Sequence, residues 1–168
     1  VSAQSSATLG KIKETGVISV GHRDASIPFS YLDDNQQPVG YSIELCGRII
    51  DAVKSTLELP DLKVEYVPVT SATRIPLLAN GTVDIECGST TNTAERQQQV
   101  SFSFTTYVAT TNILAKKTSN ISAFDGLKGT TVVSTAGTTP LRLLNELNTE
   151  KGLNLNILTA MDHAEGFL

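Results

Sequence analysis

At 168 residues, 40% hydrophobic and 18% charged, with a net charge of −4, the chain has a globular composition and length enough for one good core or two small ones. No apolar run approaches the roughly 18 residues that a membrane span needs, and the lack of a basic block, with aromatics at 5%, argues against a nucleic-acid partner. Two cysteines (Cys46, Cys87) and two histidines (His22, His163), none in metal-ligand spacing, argue against a zinc site, and no metal or cofactor is expected.

The opening VSAQSSATLG is small and polar and reads as the ragged start of a mature exported protein after removal of a signal peptide, although a trimmed cytosolic chain would look the same. Thr8 to Glu14 then reads as a short amphipathic helix with Leu9 and Ile12 on one face, and Val17 to Val20 as a buried strand. The strand ends in Gly21-His22-Arg23-Asp24, which sets Arg23 at its carboxyl end, where open α/β sheets put their ligands. The alternative is a loop arginine paired with Asp24. Pro28 to Tyr31 is extended, Asp33 to Gln36 is a turn, and Gly40-Tyr41 leads into a helix. From Ser42 to Leu57 the apolar residues Ile43, Cys46, Ile50, Val53 and Leu57 alternate three and four apart, making one helical stripe, with Lys54 and Glu58 as an i,i+4 pair beside it. Lys63 to Val69 reads as a strand. Strand, long helix and strand make a parallel crossover, hence an α/β sheet covered on both faces.

Thr70 to Arg74 opens a second helix, with Ser71 as N-cap and Pro76 tolerated near the start. A first-turn Arg74 is unfavourable against the helix dipole, and a bound anion would offset that. Asn80-Gly81 stops the helix. Gly81 to Arg96 (GTVDIECGSTTNTAER) is the central stretch. It runs from a turn through a short apolar strand (Val83, Ile85) and a hydroxyl run (Ser89, Thr90, Thr91) to Glu95-Arg96 at the start of a polar helix. Hydroxyls, helix-start N–H groups and an arginine fork delivered to one point make a carboxylate site. An ordinary polar turn with an exposed arginine is the alternative. Phe102 and Phe104 alternate with serines as in a strand, and Tyr107 to Ala115 reads as a long strand. A loop with a short helix spans Asn120 to Lys128. Thr130 to Ser134 is a strand, and Thr139 caps a helix opened by Pro140 and running to about Leu147. Leu153 to Leu158 is the next strand, and Asp162-His163 starts one more helix. Each cysteine is expected as a buried thiol, Cys46 on the helix stripe and Cys87 in the central strand, though two cysteines of an exported protein can pair.

The segments GHRDASIPFSY, VTSATRIPLLANGTVDIECGSTTNTAERQQQVSFS and STAGTTPLRLLNELN resemble, in order and spacing, the periplasmic solute-binding proteins of amino-acid ABC transporters, and within them the glutamate/aspartate-binding members. The resemblance runs from about Leu9 to the C-terminus. It implies a type II bilobal periplasmic-binding-protein fold, with residues 1–109 as a largely present first lobe, residues 110–168 as part of a second, and the strand near Tyr107 crossing between them. It implies an interlobe site in which Arg96, helped by Ser89 and Thr91, binds the ligand's α-carboxylate. Arg23 and Arg74, with Ser71 beside them, would bind the side-chain carboxylate, and Thr138, Thr139 and His163 would close over the ligand. One arginine suffices for a neutral amino acid, so Arg23 and Arg74 point to an acidic ligand, whose buried charges must each be paired. In the family an acidic residue beyond Leu168 holds the α-ammonium, and neither Asp162 nor Glu165 can be assigned that role.

The chain therefore reads as a truncated one, or as one that completes itself by self-association. The expected function is periplasmic binding of L-glutamate or L-aspartate for delivery to a membrane permease. A sensing module of the same fold is an alternative. A dehydratase-type enzyme is a weaker one, because Glu86, Glu95 and His163 make no evident acid–base pair.

Overall fold

The computed structural model describes residues 2–167 and divides into two compact units, Val1–Phe102 and Ser103–Leu168. The first unit is built on β1 (Val17–His22), an apolar strand flanked on both sides by parallel partners. The helix before it, α1 (Ser2–Thr15), is longer than the expected Thr8 to Glu14 and buries Ile12. After β1 come three short antiparallel strands, β2 (Ala25–Ser26), β3 (Ser30–Leu32) and β4 (Pro38–Val39). They lead to α2 (Tyr41–Leu57) across Gly40, where a Cβ would sit 2.6 Å from the Phe29 carbonyl oxygen. That close approach lets the carbonyls of Pro28 and Phe29 accept from the N–H groups of Tyr41 and Ser42, at 3.0 and 2.8 Å, satisfying the free start of α2. The α2 stripe buries Ile43, Cys46 and Ile50 as its spacing predicts. Lys54 reaches Asp51 (4.0 Å), whereas Glu58, in a left-handed C-cap conformation, has left the helical surface that an i,i+4 pair needs.

The crossover returns through β5 (Lys63–Pro68), parallel to β1 along its whole length, then α3 (Arg74–Ala79) and β6 (Ile85–Glu86), which pairs with β1 at Val20 and Gly21. The sheet order is β5-β1-β6. Ser71 is not the N-cap of α3. Thr70 and Thr73 instead exchange side-chain-to-backbone hydrogen bonds of 2.9 and 3.1 Å, so the helix starts two residues later than expected. Pro76 falls in the first turn, where a missing N–H costs nothing. A short α4 (Ala94–Gln97) is capped by Thr93 Oγ1, which accepts from the Arg96 N–H at 3.2 Å.

The core joins Ile12, Ile18, Val20, Ile43, Ile50 and Leu62 to the two cysteines. Cys46 and Cys87 are buried as expected but are not thiols: they form a disulfide with a Cα–Cα distance of 6.2 Å. The Cys87 N–H donates to the Gly21 carbonyl (2.9 Å), which sets Cys87 at the end of the sheet beneath α2, within the separation a disulfide requires.

In the second unit β7 (Thr131–Thr135) and β8 (Asn156–Ala160) are parallel and flank α5 (Thr139–Lys151) in sequence. The cap of α5 is Thr138, one residue before the expected Thr139, which is the first helical residue. Leu153 belongs to the helix exit, its N–H donating to the Asn148 carbonyl, so β8 begins later than expected. Asp162 starts only a 3-10 turn over Glu165–Phe167, accepting from the Glu165 N–H at 2.9 Å. The strands expected at Phe102–Phe104 and Tyr107–Ala115 do not form: residues 104–116 enter no sheet among the described residues, and Phe104 is 97% exposed. Alternating apolar residues make a strand only where a neighbouring edge pairs with them.

Candidate carboxylate-binding site

Parallel strands direct their carboxyl ends to one side of the sheet. In the first unit, β1 ends at Arg23, β5 runs out to Ser71, and β6 ends in Gly88-Ser89. Arg23 is 2% exposed, and its Nη1 donates to Ser71 Oγ at 2.7 Å. The Arg23 backbone N–H donates to the buried Ser30 hydroxyl (2.9 Å), which fixes the stem of the side chain. The alternative was a pairing of Arg23 with Asp24. Asp24 lies 3.5 Å from His22 Nδ1.

Arg74 is 3% exposed, and its Nε and Nη1 find no hydrogen-bond acceptor among the described residues. Leaving a buried donor unsatisfied costs about 1–3 kcal/mol, so such groups call for an explanation. Burial lowers the Arg74 guanidinium to about 10. Glu86 opposes that shift, while Arg96 and Arg23 add to it. The group remains charged at neutral pH. Arg96 is half-buried on α4, and its Nη1 donates to the Thr91 carbonyl at 2.9 Å. Ser89 Oγ lies 2.7 Å from Ser26 Oγ, and Ser42 Oγ donates to the Gly88 carbonyl (2.7 Å), so the hydroxyl run is held from two sides.

Glu86 belongs to this cluster, although its sequence context suggested only a candidate acid or base. Its Oε2 accepts from Thr90 Oγ1 at 2.9 Å, and its Oε1 is buried without a partner among the described residues. A Cβ at residue 88 would collide with Glu86 Oε1 and would lie 3.1 Å from Arg23 Cγ, so Gly88 leaves the space that this carboxyl occupies. Burial raises the Glu86 carboxyl above the usual range, opposed by Arg74, the Thr90 hydroxyl, Arg23 and Arg96. A signal was available, since an acid between Ile85 and Cys87 breaks the apolar run that a buried parallel strand carries. Ser26 and Ser30 gave no such signal.

The remaining expected residues lie in the second unit, at the carboxyl ends of two adjacent parallel strands. Thr138 follows β7, its Oγ1 donating to the Thr135 carbonyl (2.7 Å) and accepting from the Leu141 N–H (3.3 Å), with Thr139 next in the first turn of α5. His163 follows β8, half-buried, in the turn between Met161 and Glu165. Among the described residues no group of three or more His, Cys, Asp or Glu side chains could hold a metal, and no helix is long and apolar enough to cross a membrane. Chemically, the first-unit cluster offers three cationic forks, several hydroxyls and one carboxyl. That donor set suits a small molecule with more than one anionic group.

The profile of the bacterial extracellular solute-binding proteins, family 3, matches residues 18–164. The chain is 59% identical over 162 residues to the L-glutamate/L-aspartate-binding protein of Pseudomonas aeruginosa, covering 96% of this chain and 54% of that protein. It is 52% identical over 160 residues to the glutamate/aspartate import solute-binding protein of Escherichia coli, covering 95% and 53%. Among solved structures it is similar to an ancestral amino acid-binding protein, a precursor of cyclohexadienyl dehydratase, with a TM-score of 0.80, 32% identity and coverage of 95% of this chain and 67% of that one. The L-cysteine solute receptor of Neisseria gonorrhoeae gives a TM-score of 0.69 at 28% identity, covering 95% and 61%. The chain spans about half the length of the curated relatives it matches. Its α/β fold is that of the type II periplasmic binding proteins. With a family profile matched over residues 18–164, the chain belongs to the bacterial extracellular solute-binding proteins of family 3.

Proposed function

We propose that this chain carries the carboxylate-reading part of a periplasmic protein that binds L-glutamate or L-aspartate and presents it to the permease of an ABC importer. The observation that carries the reading is Arg74, buried with two guanidinium nitrogens unsatisfied, beside Arg23 and Arg96. An anionic ligand supplies acceptors for such nitrogens and offsets the buried charge. Arg74 and Arg23, with Ser71, take the side-chain carboxylate. Arg96, with Ser89 and Thr91, takes the α-carboxylate. Residues 1–109 form the first lobe and residues 110–168 part of the second, from which Thr138, Thr139 and His163 complete the ligand's shell. The relatives named for glutamate and aspartate support this ligand class.

Binding without turnover is the reading we favour, although one structural neighbour is a dehydratase precursor. Of the candidate acids and bases, Glu86 lies among arginines, Glu95 is exposed, and His163 lies in the other unit. Calorimetric titration with L-glutamate, with L-glutamine as the control, tests the proposal. Saturable binding selective for L-glutamate is expected, and Arg96→Ala should remove roughly 2–5 kcal/mol of it by leaving a buried carboxylate unpaired. No heat with either ligand, or unchanged affinity in Arg96→Ala, overturns the assignment.

A further inference from the structure

Three arginines reading two carboxylates leave one positive charge in excess, and Glu86 is the chain's own carboxyl among them. All three arginines act on its buried carboxyl through space. One oxygen is held by the Thr90 hydroxyl at 2.9 Å, and the other is buried without a partner among the described residues. Arg74 likewise keeps two buried nitrogens without an acceptor. Acceptor and donors thus stand unsatisfied in one buried cluster, coupled through space. Gly88 preserves the arrangement, since a Cβ there would collide with the Glu86 carboxyl and crowd Arg23 Cγ at 3.1 Å.

We propose that Glu86 is the counter-charge of the arginine cluster, and that it takes up one proton from solvent when an acidic ligand enters, so that binding is coupled to proton uptake. The inference rests on the carboxylate-binding reading above. Before binding, Arg74, Arg23 and Arg96 favour the ionised form of Glu86 against the cost of its burial. An incoming carboxylate neutralises those same arginines and sets a second negative charge beside Glu86. Two carboxylates that share a site do not both stay ionised easily, so the protein's own carboxyl accepts the proton. Once protonated, it becomes a donor.

The charged groups acting on Glu86 are Arg74 of α3, Arg23 after β1 and Arg96 of α4, with the Thr90 hydroxyl in contact. His22 and Asp24, also at the end of β1, pair with each other. The sign follows from a carboxyl already raised by burial and raised further by the ligand. Affinity for an acidic ligand is constant above both values, rises as pH falls between the liganded and free values, and levels off below them.

The test is calorimetric titration with L-glutamate from about pH 8 down to about pH 5, in paired buffers of different ionisation enthalpy, on the unaltered chain and on Glu86→Gln. The unaltered chain should take up close to one proton per ligand inside the window, with affinity rising up to about tenfold per pH unit lowered. Glu86→Gln, neutral at every pH, should lose that uptake, and any uptake that persists belongs to another group such as His163. Thr90→Val, which removes the hydroxyl favouring the ionised form, should move the window to higher pH, and it provides a second test should Glu86→Gln fail to fold. Binding by the unaltered chain without proton uptake overturns the inference alone, as does full uptake retained in Glu86→Gln or an unmoved window in Thr90→Val. No binding of L-glutamate by the unaltered chain overturns the carboxylate-binding reading and the inference with it.

Discussion

Helices α3 and α5 both begin where a parallel strand ends, yet their first turns are arranged in opposite ways. At α5 the Thr138 hydroxyl donates back to the Thr135 carbonyl and accepts from the Leu141 N–H, and Pro140 has no N–H to satisfy. The Thr138 hydroxyl and Pro140 are both explained by local chain chemistry. At α3 the Thr70–Thr73 exchange closes the turn, but the next residue is Arg74, buried and short of two acceptors. Helix stability does not ask for a cation there, since a first-turn arginine opposes the dipole. Polar burial that the chain satisfies itself is accounted for by folding, whereas polar burial left open is accounted for only by something that binds.

The sharpest way to test the contrast between the two units is to remove the brace that only the first possesses. Cys46–Cys87 closes a span of 41 residues across α2 and the sheet end that carries the site. Replacing both cysteines by alanine should lower unfolding free energy by about 4 kcal/mol on the chain-entropy account. Urea denaturation measures the total, and hydrogen exchange should place the loss in residues 1–102 with β7, α5 and β8 unchanged. Equal loss of protection in both units would mean that the brace does not act locally.

A smaller effect addresses the open polar turn directly. Arg74→Met keeps the aliphatic stem and removes the charge. It should weaken L-glutamate binding by about 2 kcal/mol more than L-glutamine binding, because a charge-assisted hydrogen bond is lost only with the acidic ligand. The stability of the ligand-free chain should change less than the affinity for L-glutamate, since two of the guanidinium nitrogens are unsatisfied before the ligand arrives. Equal losses for both ligands would show that Arg74 does not read the side-chain charge.

The same contrast explains what could be read from the sequence. β1, β5 and α2 were legible because their periodicities reflect burial on two faces or on one stripe. Arg23 was legible as a strand-end residue, but the grouping of the arginines and hydroxyls came from the family resemblance. The disulfide was not, because a separation of 41 residues carries no trace of the register that brings Cys87 beneath α2. Ser71 was misread as a cap because its hydroxyl suits either role, and only the fold shows that it accepts from Arg23. The Tyr107–Ala115 stretch carries strand-forming residues without a neighbouring edge among the described residues. Glu86 was named only as a candidate acid or base, because three arginines from separate elements acting on one carboxyl is a convergence that no local window contains.

The smallest predicted effect concerns the satisfied turn. Thr138→Ala removes the cap of α5 and should cost about 1 kcal/mol of stability, read by denaturant unfolding and by faster exchange in the first turn. Thr138→Ser should restore it. The hydroxyl has only one proton, already given to the Thr135 carbonyl, so Thr138 cannot donate through its side chain to a ligand carboxylate without breaking that bond. Any contribution from this turn to binding should therefore come through first-turn N–H groups, which have no acceptor within the helix. On that account Thr138→Ala weakens L-glutamate binding far less than Arg74→Met does. A loss in Thr138→Ala as large as in Arg74→Met, rescued by Thr138→Ser, would show that the hydroxyl changes partners on binding, and that the second unit's turn is less self-contained than its hydrogen bonds imply.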